Sequence, residues 1–265
     1  MKASSPFAHR KARNAKDLGR KGVAETPSYA RILIVCEGTK TEPHYFEAFR
    51  SDYRHQLKAI VIESGGSAPI SNVETAEELY REDLLSVNGD TERAYEAVFC
   101  VFDRDTHPTF DKAMIKINAL KAGLPIHAIA SYPCFEFWLI LHFGFTRSPF
   151  AKTSKKSIGD VVKKKLQDFP GFKGYKEREK NAYALTKEKL PDCIKHSRKA
   201  VKNAIEDNES NPSTHIHVLV EYLLGVVRDS LVAARIKLKL NSGASDSALT
   251  EINALEWILG MVKTT

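Results

Sequence analysis

The chain has 265 residues, 43% of them hydrophobic, and a formal charge of +7 from 40 Lys and Arg against 33 Asp and Glu. That is enough length and apolar content to bury a core without staples, in one large domain or one domain with an appendage. No run approaches the roughly 18 apolar residues of a membrane-spanning helix, and the N-terminus lacks the apolar stretch of a secretory signal, so a cytoplasmic protein with no membrane association is expected.

Cys36, Cys100, Cys134 and Cys193 occur singly, without C-x-x-C spacing, and read as reduced thiols that act as small hydrophobes. The excess positive charge favours polyanionic partners, though its placement says more than its size.

Residues 1–29 are polar and basic, with Lys2, Arg10, Lys11, Arg13, Lys16, Arg20 and Lys21 against Asp17 and Glu25. Without apolar periodicity they read as a flexible arm, which either captures phosphate backbone or is a solvated tail or docking strap. Residues 30–145 then alternate apolar runs with amphipathic segments. The pattern predicts strand 31–36, helix 41–53, strand 58–63, helix 72–86, strand 96–102, helix 109–122, strand 126–131 and helix 134–143. Such alternation predicts an α/β domain with a Rossmann-like parallel sheet flanked by helices on both faces.

Residues 146–265 are Lys-rich and predict a mainly helical C-terminal region packed on that core. Helices are expected at 155–168, 177–208 and 214–237, with Pro191 marking a kink or a break. A loop at 241–247 and a closing amphipathic helix at 248–262 complete the chain.

The acids at strand ends carry the chemistry. Glu37 follows the apolar run Ile32–Cys36 and precedes Gly38, Thr39, Lys40, Thr41 and Glu42, a tight strand-to-helix turn in which Thr39 or Thr41 would cap the helix. Asp103 and Asp105 end a second apolar run, and their spacing on an extended strand points both to one face. Parallel strand ends meet at a ligand crevice, where hard oxygen ligands would suit Mg²⁺ or Mn²⁺. The alternatives are a surface acid at a helix N-terminus for Glu37 and solvated acids neutralised by Arg104 or a Lys for the aspartates. The G-x-x-x-x-G-K-[ST] phosphate loop is absent.

Glu136 lies in the very apolar segment 134–142, where a carboxylate needs a partner, a proton or a metal. It either reaches the crevice or is structural, and His142 reads as a hydrogen-bonded core histidine. Asn211, Ser213 and Thr214 either contact phosphate or stop one helix and cap the next. His215 and His217 are expected to face opposite ways.

The apolar strand before Glu37-Gly38, followed by a second ending in Asp103-x-Asp105, resembles the Toprim domain of topoisomerases, primases and OLD-family nucleases. More narrowly, four blocks in order over about residues 31–220 resemble the RloB family. They are Ile34-Val35-Cys36-Glu37-Gly38-Thr39-Lys40-Thr41-Glu42-Pro43 with Tyr45-Phe46, Phe102-Asp103-Arg104-Asp105, Pro133-Cys134-Phe135-Glu136 with Trp138, Leu141 and His142, and Asn211-Pro212-Ser213-Thr214.

The resemblance implies a Toprim-like sheet in which Glu37, Asp103 and Asp105 hold Mg²⁺ or Mn²⁺ and assist phosphoryl transfer. It further implies a nuclease effector of anti-phage defence by abortive infection, working with an ABC-type ATPase. An endonuclease acting on DNA or RNA is therefore expected, with Glu37 as general base, Glu136 beside the metal and Lys40 neutralising phosphate. The alternative is a noncatalytic subunit that docks on the ATPase. The apolar stretch 252–262 either covers the core or forms a homo-oligomer interface. Topoisomerase and primase readings rank lower, since no tyrosine stands in a defensible nucleophilic setting and no nucleotide-binding feature is identifiable.

Overall fold

The computed structural model describes residues 30–89, 94–105, 107–176 and 180–240, with side chains followed to residue 234. The basic arm, the 241–247 loop and the closing helix lie outside the described residues. In chain order the elements are β1 Ile32–Cys36, α1 Thr41–Asp52, β2 Ile60–Ser64, α2 Pro69–Ser86, β3 Ala97–Asp103, α3 Phe110–Leu120, β4 Ile126–Tyr132 and α4 Glu136–Leu141. There follow α5 Ile158–Leu166, α6 Ala182–Thr186, a 3₁₀ turn Lys187–Lys189, α7 Leu190–Glu206, β5 Ser213–Thr214 and α8 Ile216–Leu240.

The five strands form one sheet in the order β2-β1-β3-β4-β5, parallel except for β5. Side chains alternate across it. Ile32, Ile34, Cys36, Ala97, Phe99 and Val101 pack with Tyr45, Phe46 and Phe49 of α1. Leu33, Val35, Val98, Cys100 and Phe102 pack on the other face with Val73, Ala76 and Tyr80 of α2 and Phe110, Ala113 and Ile117 of α3. Burial on both faces is why these strands read as unbroken apolar runs.

Among the described residues the C-terminal helices have no separate core. Val162 and Leu166 of α5, Cys193, Ile194 and Ala200 of α7, and Leu219, Leu223 and Val227 of α8 join the cluster on the α1 face. Tyr222 of α8 stacks edge-on against Phe99 of β3, with ring centroids 5.1 Å apart, and donates a hydrogen bond to Glu96 Oε1 at 2.7 Å. All four cysteines are free and buried. Among the described residues no helix is long and apolar enough to cross a membrane.

Some expectations are corrected. α2 begins at Pro69, three residues before the predicted start, because proline suits the first helical turn, where its missing N–H is not needed. Segment 177–208 does break at Pro191 as expected, and by the same preference the proline sits in the first turn of α7, just after the interruption. Neither Thr39 nor Thr41 caps α1. Its N-cap is Lys40, which makes no side-chain cap hydrogen bond.

Near residue 212, Thr214 Oγ1 does accept the Ile216 N–H at 3.3 Å, but Ser213 and Thr214 also pair antiparallel with Tyr132 and Ser131 of β4. Both are buried, which removes them as phosphate contacts, and the Asn211 amide is engaged with the Phe150 backbone. A two-residue strand leaves no alternation to read.

The chain leaves β1 for β2 on one side and returns as β3 on the other, so the topological switch lies between β1 and β3. In open α/β sheets the carboxyl ends of such strands form the ligand crevice. Here the edges are clamped. Buried Asn72 donates through Nδ2 to Val35 O at 2.9 Å and Val101 O at 3.3 Å, and the Glu37 N–H donates to Val101 O at 2.8 Å. The clamp needs close approach, since a Cβ on Gly65 would lie 2.5 Å from the Asn72 Cα. Asn72→Ala, which removes both of these buried hydrogen bonds and the packing of the amide while Val101 O keeps the Glu37 N–H, is expected to cost about 1–3 kcal/mol of stability. Urea unfolding checks this, and an unchanged midpoint would show the clamp to be dispensable.

Candidate functional site

β1 ends with Cys36 opposite Val101, while β3 runs two residues further to Asp103, so Glu37 and Asp103 come together at the switch point. The Asp103 backbone N–H donates to Glu37 Oε2 at 3.0 Å, which fixes one predicted acid against the other. Alternation along β3 sends Asp103 to the face shared by Phe99 and Val101, where α1 and α4 lie. Burial raises its carboxyl well above the usual range, and the charges of Glu42, Glu136 and Glu37 raise it further, while a hydrogen bond from the Phe135 backbone opposes them.

Glu37 itself is half-buried. Burial first, and then the Asp105 charge, push its pKa up to about 7 against the Asp103 N–H that lowers it.

Asp105 arrives by a route other than the one expected. β3 stops at Asp103, and Asp105 sits in a turn with φ of 26°, the left-handed region that a non-glycine residue rarely occupies. Its backbone N–H is tied to Pro133 O at 2.8 Å. Its Oδ1 is buried with no hydrogen-bond partner, and a Cβ on Gly159 of α5 would stand 3.8 Å from its Oδ2. Arg104 between the aspartates turns instead to Asp111, at 3.9 Å, and to the Phe110 ring, at 4.8 Å.

Glu136 opens α4 and is 4% exposed, and the Tyr175 hydroxyl donates to its Oε1 at 3.4 Å. With that proton committed, Thr41 Oγ1 is the donor to the Tyr175 oxygen at 3.3 Å. A phenol from the loop after α5 thereby links the first turns of α1 and α4. Lys40, the last of the predicted site residues, is half-buried at the α1 N-cap. His142 is the expected core histidine. Burial lowers its pKa to about 3, and its Nδ1 meets Trp138 O at 3.0 Å. His215 and His217 do not face opposite ways as expected: their rings stack with centroids 6.5 Å apart, while each Nδ1 meets its own partner, Ala130 O and Ser197 Oγ.

Three residues that sequence reasoning passed over belong here. Glu42, 9% exposed in the first turn of α1, raises the Asp103 pKa more than Glu37 does. An acid at the second position of a helix that follows Glu37 by a few residues was the available signal. Tyr175 had none, being remote in sequence. Lys163, half-buried on α5, is close enough to Cys134 to oppose the rise that burial, Glu136 and Asp103 impose on that thiol.

The donor chemistry suits a hard divalent cation, and mutually repelling carboxylates with an unpartnered buried oxygen are what such an ion relieves. The side chains do not form a finished cage. Among the described residues no three of the His, Cys, Asp and Glu side chains are grouped to hold a metal ion as they stand.

Fold and site together define an α/β protein with an acidic crevice at its switch point. The family model described as RloB-like protein matches residues 32–223, and the chain belongs to that family. No curated protein and no solved structure matches it.

The raised pKa of Glu37 has a sign that can be measured. The folded chain holds this proton up to about pH 7, whereas the unfolded chain releases it near the ordinary value of 4.5. Stability therefore falls as pH rises between those values, because the native state binds more protons there. Glu37→Gln is expected to raise stability at about pH 8 by on the order of 1–2 kcal/mol, after discounting for partial solvent exposure. Its effect at about pH 4.5 should be small. Denaturant titrations at the two pH values check this, and equal effects at both would place the cause outside the titration.

Proposed function

We propose that this RloB-like chain is a metal-dependent endonuclease that cleaves phosphodiester bonds in DNA or RNA at the β1/β3 crevice, in the manner of the Toprim enzymes it resembles. The observation that carries the reading is the meeting of Glu37 and Asp103 at the switch point, where the Asp103 N–H donates to Glu37 Oε2 at 3.0 Å, together with the buried, unpartnered Oδ1 of Asp105. Glu37, Asp103 and Asp105 would hold Mg²⁺ or Mn²⁺. Such an ion, when bound, neutralises charge on a scissile phosphate and makes water a stronger acid.

The chain's own groups supply the rest. Glu37 would take a proton from an attacking water; burial raises its proton affinity here, and a bound cation would lower it again, leaving the carboxylate ionised and able to accept. Glu136, held by the Tyr175 hydroxyl, sets its carboxyl near Asp103 and helps raise the proton affinity there. Lys40 at the N-cap of α1 would meet the phosphate. The setting implied by the family resemblance is anti-phage defence beside an ABC-type ATPase.

Purified wild type and Asp103→Ala, incubated with plasmid, single-stranded DNA and tRNA in Mg²⁺ or Mn²⁺, test the reading. Cleavage should fall on the order of 100-fold or more in the variant. Mn²⁺ should also raise the melting temperature of the wild type and leave that of Asp103→Asn unchanged, since an ion bound only to the folded state stabilises it. Equal cleavage by both proteins removes Asp103 from the chemistry. Stable association with the ATPase without cleavage under any condition favours the noncatalytic subunit.

A further inference from the structure

The outer face of α1 carries a groove of about 840 Å³ whose lining includes His44, Glu47, Arg50, Arg54, Lys58 and Lys180. Resting on the nuclease reading, we propose that this groove is a track for the phosphodiester backbone of the substrate, leading to the β1/β3 crevice. α1 connects the two places. Its first turn holds Thr41 and Glu42 at the acids, His44 begins the groove, and Arg54 and Lys58 continue it past the helix C-terminus. At 1.5 Å per residue the path from Glu42 to Arg54 covers roughly 18 Å, enough for several phosphates.

The groove's chemistry selects this ligand. Arg50, Arg54, Lys58 and Lys180 are cationic at neutral pH, and Glu47 is the one lining carboxylate among the described residues. Glu47 is taken up by Arg50 at 2.6 Å, and Arg50 is further fixed by Ile60 O at 2.9 Å, so this guanidinium is held in place. Arg54, Lys58 and Lys180 are exposed to solvent. Among the described residues no Phe, Tyr or Trp belongs to the lining, which offers bases no stacking platform there and favours a sequence-independent contact. A protein partner would want buried aromatic or aliphatic anchors, and Ala48 and Leu57 are the apolar lining residues here.

The test is fluorescence anisotropy of the full-length chain in EDTA, with labelled single-stranded DNA, duplex DNA and single-stranded RNA, over a salt series. Arg54→Glu/Lys180→Glu should weaken binding at least tenfold at low salt and flatten the slope of log K against log salt by about 2. Lys112→Glu/Lys202→Glu makes the same charge change on α3 and α7 and should leave affinity within about twofold. The three probes show which backbone the groove prefers.

Asp103→Asn should bind as the wild type does, which separates the two proposals. Groove-dependent binding without cleavage sinks the nuclease reading and leaves the track standing. Undiminished binding by the groove variant, an equal loss in the Lys112/Lys202 control, or no binding of any probe by the wild type overturns the track.

Discussion

Carboxylates crowded at the end of β3 repel one another where water is partly excluded, and the fold exists around that constraint. Glu37, Glu42 and Glu136 all raise the proton affinity of Asp103, which burial has already raised. Each pKa unit corresponds to about 1.4 kcal/mol of differential interaction, so the site opposes folding at neutral pH. Apolar layers on both faces of the sheet offset that cost. Local polar links then hold the acids in place: the Asn72 clamp across β1 and β3, the Asp103 N–H on Glu37, and the Tyr175 hydroxyl on Glu136. Strain of this kind is commonly retained at functional sites at the expense of stability.

The sheet order determines which residues share the crevice. With β1 and β3 adjacent and their crossovers on opposite faces, the two carboxyl ends are left uncovered together. The elements beyond residue 146 then close the site from outside. α5 brings Gly159 to Asp105, the following loop brings Tyr175 to Glu136 and Thr41, and β5 extends the sheet beside β4. The Lys-rich region is therefore part of the wall of the crevice as well as a surface for charge.

Much of this was legible in the residues because burial writes a long signal. The unbroken runs of β1 and β3 announced strands covered on both faces, and Glu37 and Asp103 stood at their ends. What depends on short or distant contacts left no trace. β5 is too brief to show a period, and Tyr175 reaches Glu136 across 39 positions. Asp105 is the instructive case. Its two-residue spacing from Asp103 suggested an extended strand, yet the chain turns at a positive φ, because the backbone N–H of Asp105 is claimed by Pro133 after β4. Such a bond is a property of the tertiary structure. The four-block resemblance named the acids without revealing how the backbone presents them, and it passed over Glu42.

The distribution of charge has a consequence for how a phosphate could approach. The acids occupy the crevice, while cations lie around it, in the α1 groove and on α5. A polyanion is thus drawn to the rim and repelled at the centre. Protons lessen the repulsion, as the elevated pKa values of Glu37 and Asp103 indicate, but they also occupy the oxygens that would do the work. A divalent cation lessens it by displacing those protons and leaving the carboxylates ionised. On the nuclease reading, then, backbone binding at the rim and cation binding at the centre are coupled. The rim fixes where the strand lies, and the cation decides whether a phosphate can cross into the acidic crevice.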